Sequence, residues 1–176
     1  MSASHRRPQV TVIGNYDAQG GSAEAAELVG QLLGKLRCTV ISGGGKGIML
    51  AVSRGARQAG ALTIGILPGA DMAWGNGELD VVIPSGIGYA RNLTNVLAAD
   101  LVIAIGGGSG TLNEMAFAWM HNKPMVALTG FGGWADRLAG QCIDDRRTEC
   151  VERADSLDQL EQIVRARLGK LGFRVD

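Results

Sequence analysis

One order of segments recurs along this chain: a short apolar run, a glycine-containing turn, and a stretch with the helical spacing of apolar residues. The run at 101–105 is apolar at every position, which is typical of a strand buried on both faces of a parallel sheet. Strands that alternate with helices are joined by crossovers, so neighbouring strands lie parallel. We therefore predict an α/β fold, a Rossmann-like doubly wound sheet in a single domain.

The periodicity of the apolar residues sets the expected element boundaries. Ser22 precedes the first helical stretch and is predicted to cap it. We expect about seven mostly parallel strands with helices on both faces of the sheet, and one domain at 9–176 after a disordered or frayed start at 1–8. The expected strands are 10–13, 39–42, 62–67, 81–84, 101–105, 125–128 and 150–151, and the expected helices are 22–36, 47–59, 90–98, 109–121, 134–141 and 156–168.

Glycine is unusually frequent, with 27 among 176 residues, although 46% of the chain is hydrophobic. A linker or a disordered tail would have few apolar residues, so we expect these glycines at turns and close backbone approaches within a folded core. Lysine plus arginine and aspartate plus glutamate are both 17, which leaves no net charge. This balance argues against a protein that binds duplex nucleic acid or a membrane surface through bulk charge.

The cysteines, the histidines and the first residues bear on location and on metal binding. Cys38, Cys142 and Cys150 are odd in number and widely spaced, so we expect three reduced thiols and no metal site. The two histidines, His5 and His121, are too few for a histidine-built metal site. The polar start lacks the apolar stretch of a signal peptide and no run is long enough to span a bilayer, so we predict a cytoplasmic protein.

Glycine is concentrated where the predicted strands end. The carboxyl ends of parallel strands meet at one edge of the sheet, and ligands of such folds bind there, where the strand order reverses. Segments without side chains at that edge would let a ligand approach the backbone closely. The three segments are Gly14-Asn15 after the first strand, Gly43-Gly44-Gly45 after the second, and Gly106-Gly107-Gly108-Ser109-Gly110-Thr111 after the fifth.

The segment 106–111 leads directly from a strand into a helix, so its amide N–H groups lie at the positive end of the helix dipole. The hydroxyls of Ser109 and Thr111 add donors, and phosphate is the ligand that this arrangement favours. A turn that needs glycine only for close packing is the alternative interpretation.

Neither familiar phosphate fingerprint is present in this sequence. The glycines are not spaced as G-x-G-x-x-G, and Lys46 is followed by glycine rather than by serine or threonine. A nicotinamide-dependent dehydrogenase and an ATPase are therefore weakly supported. Lys46 either faces a phosphate or is a solvated loop lysine.

Two charged and two aromatic side chains are predicted near the same edge. Glu114 falls in the first predicted turn of its helix, where it either complements the dipole or contacts a ligand as an acceptor or acid–base group. Arg91 begins another predicted helix, and it can clamp a phosphate or pair with Glu114. Trp74, in the loop predicted at 70–79, and Tyr16, after the first strand, are candidates to cover a bound ring.

Together these motifs resemble the Lonely Guy (LOG) superfamily, long mislabelled as lysine decarboxylases, over roughly residues 8–168. The resemblance implies a Rossmann-like fold and, for the enzymes of the family, hydrolysis of the N-glycosidic bond of nucleoside 5′-monophosphates, with Glu114 and Arg91 as the catalytic residues. The family signature has proline and lysine where this sequence has Gly106 and Asn92. The motifs that carry it are Gly43-Gly44-Gly45, Gly47-Ile48-Met49, the Arg91 helix ending at Ala99-Asp100, and Gly106-Gly107-Gly108-Ser109-Gly110-Thr111 with Glu114.

The neutral Asn92 replaces a cation beside the phosphate or leaving group, which weakens the hydrolase interpretation. The order Gly88-Tyr89-Ala90-Arg91-Asn92 resembles instead the branch of molybdenum cofactor carrier proteins, which bind and protect the cofactor, a pterin with a terminal phosphate. We therefore expect a binding and carrier protein rather than an enzyme, with a nucleoside 5′-monophosphate phosphoribohydrolase as the alternative.

The same resemblance implies the ligand, the partners and the contacts. The ligand is the molybdenum cofactor (molybdopterin) or, as the alternative, an AMP-like nucleotide. The partners are molybdoenzymes or cofactor biosynthesis proteins, with neither nucleic acid nor membrane, and the chain forms a homo-oligomer, a dimer or tetramer. The implied ligand contacts are Gly14, Asn15, Gly44, Gly45, Arg91, Asn92, Gly107, Gly108, Ser109, Gly110, Thr111 and Glu114.

Overall fold

The structure, a computed structural model, describes residues 6–18 and 20–175. In that part of the chain, strands and α-helices alternate, and single turns of 3₁₀ helix at Met72–Trp74 and Gly88–Ala90 interrupt the loops. The strands are β1 (Gln9–Gly14), β2 (Thr39–Ser42), β3 (Thr63–Leu67), β4 (Val81–Pro84), β5 (Leu101–Ile105), β6 (Met125–Leu128) and β7 (Glu152–Ala154). The helices are α1 (Ser22–Lys35), α2 (Ile48–Gln58), α3 (Arg91–Leu97), α4 (Ser109–Met120), α5 (Gly133–Leu138) and α6 (Leu157–Lys170).

All of these strands form one parallel sheet in the order β4-β3-β2-β1-β5-β6-β7, which confirms the predicted doubly wound α/β fold. The chain first adds β2, β3 and β4 on one side of β1. It then returns through α3 and places β5 on the other side, with Val10 opposite Leu101 and Gly14 opposite Ile105. The strand order therefore reverses between β1 and β5, and a crevice is expected at their carboxyl ends.

Helices cover both faces of the sheet, as predicted, and each face has its own apolar core. α1, α2 and α6 pack on one face, and α3, α4 and α5 pack on the other. Strand β5 serves both cores, because Leu101 and Ile103 face the first and Val102 and Ala104 face the second. This double burial explains why the strand is apolar at every position.

Several element boundaries differ from the sequence prediction by one to three residues, and two of these differences have a clear cause in the structure. The expected cap at Ser22 is wrong, because Gly21, with φ +79°, precedes α1 and Ser22 is its first, buried residue. The expected strand at 150–151 is also wrong, because β7 begins at Glu152. Val151 instead exchanges backbone hydrogen bonds with residues 140 and 141, just after α5, and so is not available to the sheet.

The thiols and the start of the chain complete the fold. The expectation of three reduced thiols is wrong, since the loop between α5 and β7 folds back and joins Cys142 to Cys150 in a disulfide. Cys38 is a buried free thiol, and burial raises its pKa to about 12.

His5 and the rest of 1–5 in the predicted frayed start lie outside the described residues, whereas Arg6 forms two 2.6 Å hydrogen bonds with Asp100. No helix within 6–18 and 20–175 has the length and apolarity that crossing a bilayer requires.

Candidate functional site

A cavity of about 330 Å³ opens at the carboxyl ends of β1 and β5, where the strand order reverses. We call it the anion cavity. Loops after β1, β2 and β5 surround it, and the start of α3 closes one side. It brings together the predicted residues Gly14, Asn15, Arg91, Asn92, Gly108, Ser109, Gly110, Thr111 and Glu114, whereas Gly44, Gly45 and Gly107 do not line it.

The first turn of α4 presents its amides to this cavity. The helix has 12 residues, and its first backbone hydrogen bond runs from the N–H of Leu112 to the carbonyl of Gly108 at 3.0 Å. The N–H groups of Ser109, Gly110 and Thr111 therefore have no acceptor within the helix. These donors and the helix dipole together favour a bound anion.

The glycines before and within α4 serve different purposes. Gly106 and Gly107 have φ of +61° and +103°, so the turn itself requires glycine there. A Cβ at Gly107 would also lie 2.4 Å from the side chain of Thr111. Gly108 and Gly110 have no positive φ, and a Cβ at either would meet no heavy atom within 4 Å. The tight-turn interpretation thus explains the first two glycines but leaves the open space beside Gly108 and Gly110 without a protein occupant.

The predicted residues outside the cavity have contacts within the protein. The N–H of Gly107 donates to Asn15 Oδ1, which joins the loops after β1 and β5. The N–H of Gly44 donates to Ser42 Oγ at 3.1 Å, and Gly44 is buried. Gly45 lines a neighbouring cavity together with Lys46, which does not reach the anion cavity. The N–H groups of 109–111 are therefore backbone donors that line the anion cavity and have no acceptor within the helix.

Glu114 is a buried carboxyl group at the base of the anion cavity. α4 begins at Ser109 as predicted, but Glu114 is its sixth residue and lies in the second turn, so the predicted place in the first turn is wrong. Its Oε1 accepts a hydrogen bond from Asn95 Nδ2 at 3.0 Å and lies 3.9 Å from Arg91 Nη1. Burial raises the pKa of Glu114 to about 6, although the Asn95 bond and the charge of Arg91 act to lower it. This group changes its protonation close to neutral pH.

Arg91 supplies the positive charge of the cavity. Its guanidinium group rests against Gly43, where a Cβ would lie 2.3 Å from Nη1. Burial lowers the pKa of Arg91, and the charge of Glu114 partly counters this effect. Its buried Nε has no hydrogen-bond partner among the described residues. Arg91 thus combines an ion pair with Glu114 and a donor that the described residues do not use.

Asn92 stands where the enzymes of the resembled family have lysine. Its Nδ2 donates to Asn113 Oδ1 at 2.9 Å, and the residue is 4% exposed. It therefore lines the cavity as a buried neutral amide that is already tied to α4.

Three residues that complete this site, Asn95, Met49 and Tyr89, were not predicted as ligand contacts. Asn95 positions Glu114, and its place four residues after Arg91, on the same face of α3, was the available signal. Met49 lines the cavity beside Gly43, and Tyr89 borders it while 85% exposed. Met49 and Tyr89 lie within motifs that carry the family resemblance, Gly47-Ile48-Met49 and Gly88-Tyr89-Ala90-Arg91-Asn92, and those motifs were the available signal.

The family profile of the SLOG cluster4 family matches residues 7–162. The chain belongs to the SLOG cluster4 family. This finding confirms the predicted membership of a LOG-like superfamily, and the match spans every element from β1 to the first half of α6.

Solved structures and a curated relative extend the comparison. The molybdenum cofactor binding protein from Rippkaea orientalis is 32% identical, with a TM-score of 0.84 over 94% of this chain and 99% of that one. The molybdenum cofactor carrier protein from Chlamydomonas reinhardtii is 27% identical, with a TM-score of 0.80 over 93% and 99% of the two chains. The cytokinin riboside 5′-monophosphate phosphoribohydrolase of Mycobacterium marinum is 28% identical over 158 residues, which are 81% of this chain and 83% of that protein.

Proposed function

We propose that the anion cavity binds the phosphate of a small molecule, that this molecule is the molybdenum cofactor, and that the protein carries and protects it. One observation carries the proposal: Gly108 and Gly110 face open space at a helix N-terminus whose amides have no acceptor in the helix. The likeness to two proteins that bind or carry this cofactor supports the choice of ligand.

The residues present fit the terminal phosphate of the cofactor. The N–H groups of Ser109, Gly110 and Thr111 would hold it, and each charge-assisted hydrogen bond is worth about 1.5–3 kcal/mol. Arg91, which also lines the cavity, would add a positive charge. Binding and protection require no acid–base pair, so the neutral Asn92 is compatible with this role.

The test replaces Gly108 by arginine and follows protection of the isolated cofactor from oxidation in air. In Gly108→Arg the new side chain enters the open cradle and occupies the anion site, so we expect protection to be lost. Thr111→Arg is a poorer test, because Thr111 is buried against Gly107. Gly169→Arg is the matched control, since Gly169 lies on the exposed side of α6 and a Cβ there also meets no atom within 4 Å.

Protection that survives Gly108→Arg at the wild-type level would refute this site. Loss of protection in Gly169→Arg as well would mean that a new arginine acts on the whole protein rather than on the cradle. Urea denaturation of both variants establishes that each is folded under the assay conditions.

A second candidate function is hydrolysis of nucleoside 5′-monophosphates, and Glu114 favours it. A buried carboxyl whose pKa is raised to about 6 beside an arginine is suited to acid–base work near a sugar. The buried Asn92, tied to Asn113, lacks the charge that the family enzymes place there. Incubation with AMP, with chromatography of released adenine, separates the two: adenine release that is lost in Glu114→Ala would overturn the pure carrier function.

A further inference from the structure

The aromatic side chains of this protein are few, and the exposed ones converge on one place. The chain has three tryptophans, two tyrosines and three phenylalanines. Only Tyr16, Trp74 and Tyr89 are exposed, at 56%, 66% and 85%, and all eight aromatic positions lie within the described residues. All three exposed rings line one cavity of about 690 Å³ beside the anion cavity, which we call the ring cavity.

An exposed aromatic ring is costly because its large apolar surface stays in contact with water instead of being buried. Scattered single residues need no explanation, but convergence on one concave surface is typical of a binding site. The three rings come from different loops, after β1, after β3 and after β4, so no local sequence constraint groups them. Their convergence is a property of the carboxyl edge of the sheet.

The loop that carries Trp74 is fixed before any ligand arrives. Asp71 accepts a hydrogen bond from the N–H of Ala73 at 2.9 Å, which caps the 3₁₀ turn. Asn76 ties the loop to the segment after β2 through 2.9 Å bonds to the carbonyls of Gly44 and Gly45. The Trp74 ring packs against Gly69, where a Cβ would lie 2.7 Å from Cζ3. A ring held in this way loses little conformational freedom when a ligand stacks on it.

The ring cavity and the anion cavity share one wall. Both are lined by Tyr16, Gly43, Met49, Tyr89 and Arg91, so a ligand can span them past the guanidinium group. The walls of the ring cavity are largely apolar, with Met49, Leu67 and Pro68 among them. The exposed Lys46 stands at its rim. An apolar slot with aromatic walls next to an anion site matches a flat ring joined to a phosphate.

We propose that the ring cavity is a second subsite that stacks the flat heteroaromatic ring of the ligand on Trp74, Tyr16 and Tyr89 while the anion cavity holds its phosphate. This inference rests on the proposed function and adds to it the recognition of a heterocycle, a pterin or a purine. The three aromatic side chains of the ring cavity would select for a flat ring in the ligand, because a pterin and a purine each offer a π face to stack.

The test compares ligands with and without a ring. Calorimetric titration with a pterin monophosphate, AMP and ribose 5-phosphate measures the contribution of the ring as the ratio of dissociation constants. We expect the two ring-bearing compounds to bind wild-type protein at least tenfold more tightly than ribose 5-phosphate. In Trp74→Ala combined with Tyr89→Ala this preference should fall by about tenfold, since stacking on one aromatic side chain is worth about that factor.

Three controls make the outcome decisive. Trp74→Phe keeps a ring and should retain most of the preference, whereas Leu171→Ala, which removes another exposed apolar side chain just after α6, should retain all of it. Loss of ribose 5-phosphate binding in Gly108→Arg reports on the anion cavity and so on the proposed function separately.

Two results would overturn the inference. One is an equal loss of affinity for all three ligands in the double variant, which would mean that the rings support the anion cavity rather than a heterocycle. The other is an unchanged ring preference in the double variant, and a change of its oligomeric state in size-exclusion chromatography would then assign the aromatic wall to contact between copies of this chain.

Discussion

The two glycine-rich loops that flank the anion cavity look alike in sequence but differ in what fills the space that glycine leaves. In the loop after β2, a Cβ at Gly43 would collide with Arg91, and a Cβ at Gly47 would lie 2.2 Å from the carbonyl oxygen of Tyr16. In the loop after β5, a Cβ at Gly108 or at Gly110 would meet nothing within 4 Å. The loop after β2 is glycine-rich to admit parts of the protein, whereas the segment after β5 is closely filled at Gly106 and Gly107 and leaves room that the protein does not use at Gly108 and Gly110.

This difference shows how a glycine run should be interpreted. Glycine at a positive φ or against a neighbouring atom is a requirement of folding. Glycine in an ordinary conformation that faces empty space in a cavity at a helix N-terminus has no such requirement, and it points to an occupant outside the chain. The predictions below test this division by substituting glycines of each kind and by titrating the carboxyl group between the loops.

The largest expected effect is on Gly47, the N-cap position of α2. Its φ is +59°, and the two carbonyl oxygens nearest to a Cβ there belong to the backbone, so neither can move cheaply. We expect Gly47→Ala to lower the free energy of unfolding by about 3 kcal/mol, from the strained backbone conformation and the overpacking. Urea denaturation measures this change. Gly77→Ala, where a Cβ is free of contacts, should stay within about 0.5 kcal/mol of wild type.

A loss of less than about 1 kcal/mol in Gly47→Ala would contradict the view that the loop after β2 is closely filled by the protein.

A smaller effect is expected from the protonation of Glu114. Its folded pKa, about 6, lies above the ordinary 4.5, so the folded protein binds more protons between these values. The free energy of unfolding therefore falls as pH rises through this range, and the full difference is about 2 kcal/mol. Glu114→Gln stays neutral, so its stability relative to wild type should rise by that amount from pH 4.5 to pH 7 in urea denaturation.

Leu112→Ala, on the same helix, changes no titratable group and should differ from wild type by a constant amount over the same pH range. A constant difference for Glu114→Gln as well would show that burial does not raise the pKa of Glu114.

The smallest effect is expected at Gly110, and there stability and binding should change in opposite directions. Alanine in place of a helical glycine stabilises a helix by roughly 0.5–1 kcal/mol, and Gly110 has neither a positive φ nor a close neighbour to oppose it. We expect Gly110→Ala to raise the free energy of unfolding while it weakens ribose 5-phosphate binding, because the methyl group enters the cradle. Higher stability with unchanged affinity would show that the open space beside Gly110 has no role in ligand binding.

Much of the fold could be predicted from the sequence because its signals are local. The apolar run of β5, the glycines after it and the spacing of α4 lie within about twenty residues, and all three were predicted correctly. The cluster of Gly108, Ser109, Gly110 and Thr111 at the sheet edge followed from the same local order. The boundaries at Ser22 and at β7, which were predicted wrongly, are ends of elements. There, a few hydrogen bonds decide whether a residue belongs to the helix or strand.

The amino-acid sequence by itself determined the alternation of strands and helices, the parallel sheet and the concentration of glycine at one edge, because these follow from periodicity and backbone freedom. Only the tertiary structure decided which donors remain open, since Asn15 takes the N–H of Gly107 from 92 residues away. It also decided that Arg91 rests on Gly43, that Asn95 holds Glu114, and that Cys142 joins Cys150. The contacts of Asn15, Arg91 and Asn95 depend on how the fold brings separate segments together, whereas the disulfide forms within the single loop between α5 and β7, and no local pattern encodes any of them.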